Sequence, residues 1–295
     1  MTMTIALPDN PYIIGRPIYE PEYFFGREDL FKFIRDNLKK GAKVILLNGQ
    51  RRIGKSSVLS QIPRKVQLDG FVFVSLSLQG KSQKPLRDIL CDLAIDIEDY
   101  LGEELGLPVE QINIPSRKDL KTNEELFVDN FLPQVYEILA DKNLVLLLDE
   151  FDVLGDHPKD AGVEDFFPYL KQIINKQKKL FIIPVVGRKL DDMSLMLGLF
   201  KGAPNYKISL LENRNAERLI REPARGVLEY NRDAIEAILE LSAGHPYFTQ
   251  VLCFAIFSQA QDEQKWQVNR AGSTPRASTT RYCTSKATTI RRTRP

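Results

Sequence analysis

Apolar positions along this chain fall into two alternating kinds of run. Short stretches, Val44-Ile45-Leu46-Leu47, the β-rich Phe71 to Leu78, the continuous Leu144-Val145-Leu146-Leu147-Leu148 and Leu180 to Val186, have the length and the aliphatic, aromatic and β-branched content of buried strands. Between them, apolar residues recur every three or four positions. Leu30, Phe31, Ile34 and Leu38 form one such face, and Leu86, Ile89, Leu90, Leu93, Ala94 and Ile97 another. Further helices are expected from Lys55, at 123–140 and at 163–178, and a short fifth strand at Tyr206 to Leu210. Strands that alternate with helices require a parallel sheet with right-handed crossovers, and continuously apolar strands mean that helices cover both faces. Prolines perturb the pattern in three places. Pro63 should stop or redirect the helix from Lys55, Pro184 cannot donate a ladder hydrogen bond and demands a local irregularity, and the Pro-bearing segment 106–122 reads as a loop.

After Leu211 the strand pattern stops. Ala216, Leu219 and Ile220, then Ile235, Ile238 and Leu239, then Phe248, Val251, Leu252, Ala255 and Ile256 form successive helical stripes, punctuated by Asn213 and by Gly244-His245-Pro246. The expected organisation is an extended N-terminal arm over 1–25, a core over 26–211, a small helical lid over 212–262 and a basic tail over 263–295.

Composition narrows the class. With 43% apolar and 27% charged residues, the 295-residue chain can build a sizeable core. No apolar run approaches the roughly 20 residues needed to span a bilayer, and Met1 to Asn10 lacks the pattern of an export signal, so a cytoplasmic protein with no membrane partner is expected. Cys91 and Cys253 fall on apolar helix faces and read as small core residues, not as a disulfide or metal set. Charge is unevenly placed. Residues 265–295 carry eight Lys or Arg and no acid, which leaves 33 basic residues against 39 acidic ones in the rest. That Ser/Thr/Arg tail is expected to be disordered; it could contact nucleic acid, and its abrupt onset after Gln264 is equally well explained by a truncated or frame-shifted reading.

The chemistry concentrates at the ends of the apolar runs. Directly after the first comes Gly49-Gln50-Arg51-Arg52-Ile53-Gly54-Lys55-Ser56, which fits the phosphate-cradling pattern G-x-x-x-x-G-K-[ST] and is followed by Ser57. Two glycines let the backbone wrap a polyphosphate so that successive N–H groups and a helix N-terminus face negative charge. Lys55 is expected to reach the β- and γ-phosphates and Ser56 to ligate Mg²⁺. The third run ends in Asp149-Glu150, at the carboxyl end of a strand, where parallel sheets place their ligands. Asp149 suits Mg²⁺, and Glu150 suits the orientation of a water for attack on the γ-phosphate. Asp152 reads as a supporting or solvated carboxylate. No Asn-Lys-x-Asp motif for guanine is present, so ATP is the expected nucleotide. Arg188 follows the fourth run; should that strand lie between the first and third, its guanidinium would come near the γ-phosphate, the alternative being a salt bridge to Asp191 or Asp192.

These residues resemble a family, the signal-transducing ATPases with numerous domains (the STAND class) within the wider AAA+ relatives, which include origin-recognition-type ATPases. The resemblance rests on Phe25-Gly26-Arg27-Glu28, Gly49 to Ser57, Leu144 to Glu150 and Gly244-His245-Pro246, and covers residues 10 to about 260. It implies a P-loop NTPase, an α/β fold with a parallel five-stranded sheet of order 5-1-4-3-2 and a helical lid, with nucleotide held between them. On that pattern Arg27 lies near the nucleotide, and His245 and Pro246 bring the lid against its adenine or ribose. The plainer alternatives are a surface arginine at a helix start and an ordinary inter-helix turn. The function implied is a slow Mg²⁺-dependent ATPase switch. A nucleic-acid-associated ATPase and a non-hydrolysing, nucleotide-stabilised scaffold remain alternatives. Partners implied are ATP or ADP, a nucleotide-dependent homo-oligomer and an unidentified protein; the acidic body disfavours DNA. The winged-helix and effector segments that usually follow such a lid find no counterpart in residues 263–295.

Overall fold

The computed structural model describes residues 7–81, 83–152, 163–187, 200–270 and 272. They group into two compact units. The larger comprises Glu28–Arg51 and Val58–Ile208; the smaller takes residues up to Arg27, Arg52–Ser57 and those from Ser209 onward.

The larger unit is built on strands β1 (Leu46–Gly49), β2 (Phe71–Ser77), β3 (Asn143–Asp149), β4 (Leu180–Val186) and β5 (Asn205–Ile208). All four pairings are parallel, in the order β2-β3-β4-β1-β5, which is the order expected from the sequence read from the opposite edge. Every residue of β4 is buried, as are the five central residues of β3. Side chains alternate between the faces with a period of two. Val74, Leu76, Leu144, Leu146, Leu148, Leu180, Ile182 and Val186 enter one core, where they meet Leu86, Ile89, Leu90 and Leu93 of helix α3 (Leu86–Asp99) and Phe166, Phe167 and Leu170 of helix α6 (Val163–Lys176). Helix α1 (Glu28–Lys39) buries Leu30, Phe31, Ile34 and Leu38, and its Phe33 ring lies 5.2 Å from that of Tyr206 on β5.

The three prolines have different outcomes. Helix α2 (Lys55–Val66) runs through Pro63 and stops three residues later. Continuation is supported by Arg35 of α1, whose guanidinium donates to the carbonyls of Val66 (2.7 Å) and Lys65 (2.9 Å) at the helix end. In β4 the register with β3 runs unbroken through Leu148↔Pro184. The interruption falls on the other side: the bridge Val44↔Ile182 is separated from Leu47↔Val185, because Ile182 donates toward β1, and two residues on Pro184 has no N–H to offer. The segment 106–122, expected as a loop, ends in helix α4 (Arg117–Thr122), where Ser116 and Asp119 form a reciprocal capping box. The helix expected at 123–140 is a π-helical turn at Phe127–Phe131 leading into α5 (Leu132–Leu139).

The smaller unit holds helices α7 (Asn213–Arg221), α8 (Arg232–Ser242) and α9 (Pro246–Glu263). It is not purely helical as the sequence pattern suggests. Two-residue strands β6 (Glu229–Tyr230) and β7 (Gln267–Val268) pair in parallel, so residues 264–270, assigned by composition to the tail, are ordered. The reason is apolar: Val268 is buried, and the Trp266 ring lies 5.7 Å from that of Phe257. Residues 273–295 lie outside the described residues.

The N-terminal arm joins this unit's core. Tyr12 is buried, its hydroxyl donates to the carbonyl of Ile220, and it lies 2.8 Å from the Tyr230 hydroxyl. Cys253 completes the cluster, its thiol pushed up to about 12 by burial and therefore a neutral packing group. Along α9, Asn10 donates to the Phe254 carbonyl (2.9 Å) and the Ile13 N–H to Gln250 Oε1 (3.1 Å).

At the turn before α9, Gly244 has φ +71, and its carbonyl accepts from the Leu211 N–H (2.9 Å). A Cβ there would lie 2.5 Å from the Leu211 carbonyl oxygen. Gly244→Ala therefore meets both strain and a backbone clash. It should lower stability by at least about 2 kcal/mol in denaturant unfolding; an unchanged midpoint would refute the requirement for glycine.

Candidate functional site

At the carboxyl ends of the strands in the larger unit, β1 closes on Gly49, which is buried, and Gln50 and Arg51 follow in an exposed turn. β3 closes on Asp149, paired in register with Ser77, and the Asp149 carbonyl accepts from the Leu78 N–H at 3.1 Å. β4 lies between β1 and β3, so the ends of β1 and β3 are two strand spacings apart, roughly 10 Å. Glu150 leaves the strand with φ +54, and its N–H donates to Asp149 Oδ1 at 3.0 Å. No residue type in the sequence signals this left-handed turn. Asp152 proves to be a supporting carboxylate: its Oδ2 accepts from the Gly187 N–H at 2.9 Å, tying the turn after β3 to the end of β4. The strand order meets the condition set for Arg188, which itself lies outside the described residues.

The remaining loop residues belong to the smaller unit. Arg52 has φ +62 and Gly54 φ +95, so the backbone turns twice into the left-handed region before Lys55 starts α2. A Cβ on Gly54 would meet nothing within 4 Å, so the glycine is required by its dihedral angle and not by crowding. Ile53 is the buried anchor of the loop. The first turn of α2 carries Lys55 and Ser56 and no acid, whereas that of α1 carries Glu28 and Asp29. Ser57 is buried, and its Oγ accepts from the Ile18 N–H at 2.9 Å, which links the arm to the loop.

Arg27, in a left-handed conformation itself (φ +77), donates to the Ser209 carbonyl at 2.5 Å and to the Ile53 carbonyl at 3.3 Å. It thus braces the loop backbone. His245 is buried with its ring 4.6 Å from that of Phe248, while Pro246 opens α9. Next to them, the Tyr247 ring lies 4.3 Å from the guanidinium of Arg52. Within this unit the structure therefore gathers Arg27, Arg52 to Ser57, His245 and Pro246. Sequence reasoning passed over Tyr247 and Ile18; an aromatic beside the Gly-His-Pro turn was the only available signal, and Ile18 acts through its backbone.

A phosphate loop between β1 and α2, with an acidic strand end one strand beyond β4, defines a P-loop ATPase of AAA type. Residues 36–193 match the AAA domain family, and the chain belongs to that family. Solved structures share the fold at low identity. The Walker-type ATPase PABY2304 of Pyrococcus abyssi is 17% identical with a TM-score of 0.64, over 84% of this chain and 73% of that one. The Aeropyrum pernix ORC1 protein in complex with DNA is 14% identical with a TM-score of 0.57, over 92% and 68%. Drosophila ORC bound to DNA gives 13% and 0.59, over 100% and 73%. No similar protein was found among curated sequences. Among the described residues, no helix is long and apolar enough to cross a membrane.

Because Arg27 holds two backbone carbonyls at once, Arg27→Lys, which lacks the fork, should cost about 1 kcal/mol in chemical denaturation. Stability equal to that of the unaltered chain would show that the bridge contributes nothing.

Proposed function

We propose that this chain is an ATP-binding and slowly ATP-hydrolysing switch of the signal-transducing (STAND) type. The observation that carries the reading is the doubly left-handed loop opening on a helix whose first turn carries no acid; in the larger unit, the third strand ends on Asp149 with Glu150 next. The open space beside Gly54 and the positive helix end suit a polyphosphate. In this reading Gly49 to Gly54 cradle the phosphates through backbone N–H groups, Lys55 neutralises the β- and γ-phosphates, and Ser56 and Asp149 are the residues that would hold Mg²⁺. Among the described residues no group of three or more His, Cys, Asp or Glu is arranged for a metal, which suits an ion bound largely through nucleotide oxygens and water. When bound, Mg²⁺ would offset developing negative charge on the phosphates. Glu150 accepts a proton from the attacking water, and Arg188 is assigned to the γ-phosphate. The arm, core and lid divisions of the sequence are carried over as the working domain plan, with residues 264–270 joined to the lid and His245 and Pro246 on the lid side of the nucleotide. A nucleotide-dependent homo-oligomer and a cytoplasmic location complete the proposal.

A second reading, a nucleic-acid-associated ATPase, is favoured by the two structural relatives solved with DNA and by the eight basic residues of 265–295. Its mark is salt-dependent DNA binding that disappears when 273–295 is removed.

Lys55→Ala should weaken ATP binding by more than about tenfold in calorimetry, at the lower bound of losing a charge-assisted phosphate contact. Unchanged affinity would sink the assignment. Glu150→Gln should retain ATP but lower turnover by about 100-fold or more. Equal phosphate release would remove Glu150 from the chemistry.

A further inference from the structure

Contacts from outside the phosphate loop help to hold it. Arg27 Nη2 donates to the Ile53 carbonyl (3.3 Å), the Ile18 N–H donates to Ser57 Oγ (2.9 Å), and the Arg52 guanidinium stacks 4.3 Å from the centroid of the Tyr247 ring. The third acts at the bend of the loop. Arg52 has φ +62, a conformation in which an L-residue's Cβ crowds its own following carbonyl oxygen. Such a residue keeps its conformation only where its surroundings over-determine it. A guanidinium laid over an aromatic face is one such constraint, because the ring quadrupole attracts the cation and the planar fork matches the ring.

Tyr247 is well placed to impose it. The ring sits on the second residue of α9, directly after the Gly244-His245-Pro246 turn, which is fixed by the hydrogen bond from Leu211 to the Gly244 carbonyl and by the bond from the His245 N–H to the Ser242 carbonyl (2.8 Å). Phe248 packs edge-on against Tyr247 at 5.7 Å. The aromatic face presented to Arg52 therefore belongs to a helix start whose own backbone is anchored.

We infer that Tyr247 is a positioning residue for the phosphate loop: its ring holds Arg52 in the left-handed conformation and so presets the backbone N–H groups of residues 53–56 for phosphate. The inference rests on the reading that this loop binds ATP, and goes beyond it by assigning control of the loop shape to a side chain on α9. The ring face does the work, so phenylalanine should serve and leucine should not. Glycine adopts a positive φ without strain, so a loop carrying Arg52→Gly has no use for the ring.

The test is a mutant cycle read by titration with a fluorescent ADP analogue and by ATP turnover. Tyr247→Leu should raise the dissociation constant and KM roughly two- to fivefold, the scale of an exposed cation–π contact, with kcat little changed. Tyr247→Phe should match the unaltered chain. In an Arg52→Gly background, Tyr247→Leu should have no further effect. A dissociation constant unmoved by Tyr247→Leu, or a loss of the same size in both backgrounds, overturns the inference. Hydrogen exchange of the peptide covering 50–58 in nucleotide-free protein separates this from failure of the ATP reading. Exchange should quicken in Tyr247→Leu and return to normal in Tyr247→Phe. If the unaltered chain binds no nucleotide, the ATP reading falls and the exchange result alone decides the role of Tyr247; equal exchange in all variants rejects it.

Discussion

The insertion of β4 between β1 and β3 is the constraint on which the larger unit depends. A seven-residue strand buried throughout can exist only if both neighbours supply its backbone partners and helices cover both faces. Once it is in place, the end of β1, with Gly49, and the end of β3, with Asp149, are fixed on the same edge at a set lateral spacing. The Asp152 to Gly187 hydrogen bond reinforces that arrangement at the rim. Pro184 shows how much the sheet tolerates: one missing donor opens a gap in a single ladder while the register on the other side is kept.

In the smaller unit the governing requirement is to hold a tightly turned loop in its left-handed shape. Residues 52 and 54 adopt left-handed backbone conformations, which for the non-glycine Arg52 persist only where the surroundings hold them. The unit answers with braces of different chemistry, a guanidinium on a carbonyl, a backbone N–H on a hydroxyl and a cation on a ring. Each brace comes from a different part of the chain. The loop shape is thus a property of the whole unit and not of its eight-residue motif.

Much of this was legible in the sequence because it is periodic. Unbroken apolar runs marked β3 and β4, amphipathic spacing marked α1 and α3, and the glycine spacing of 49–56 marked the loop. What periodicity cannot carry was missed. Helix α2 outlasted Pro63 because Arg35, about 30 positions earlier, caps its last carbonyls. The order in 264–270 came from two apolar side chains, Trp266 and Val268, set in a polar stretch whose average composition hid them. Tyr247 and the arm contact through Ile18 depend on tertiary proximity, which no local pattern encodes.

The arm has a further consequence for how the protein is made. Asn10 bonds to Ser258 across 248 positions, and Tyr12 shares its core with residues as late as Val268. During synthesis at about 5–20 residues per second, the arm must wait on the order of ten seconds or more for its partners to leave the ribosome. The larger unit has all its residues earlier, by Ile208. The arm, made long before its partners, is therefore among the last segments to settle, and Tyr12, buried in the finished protein, spends that interval without its core.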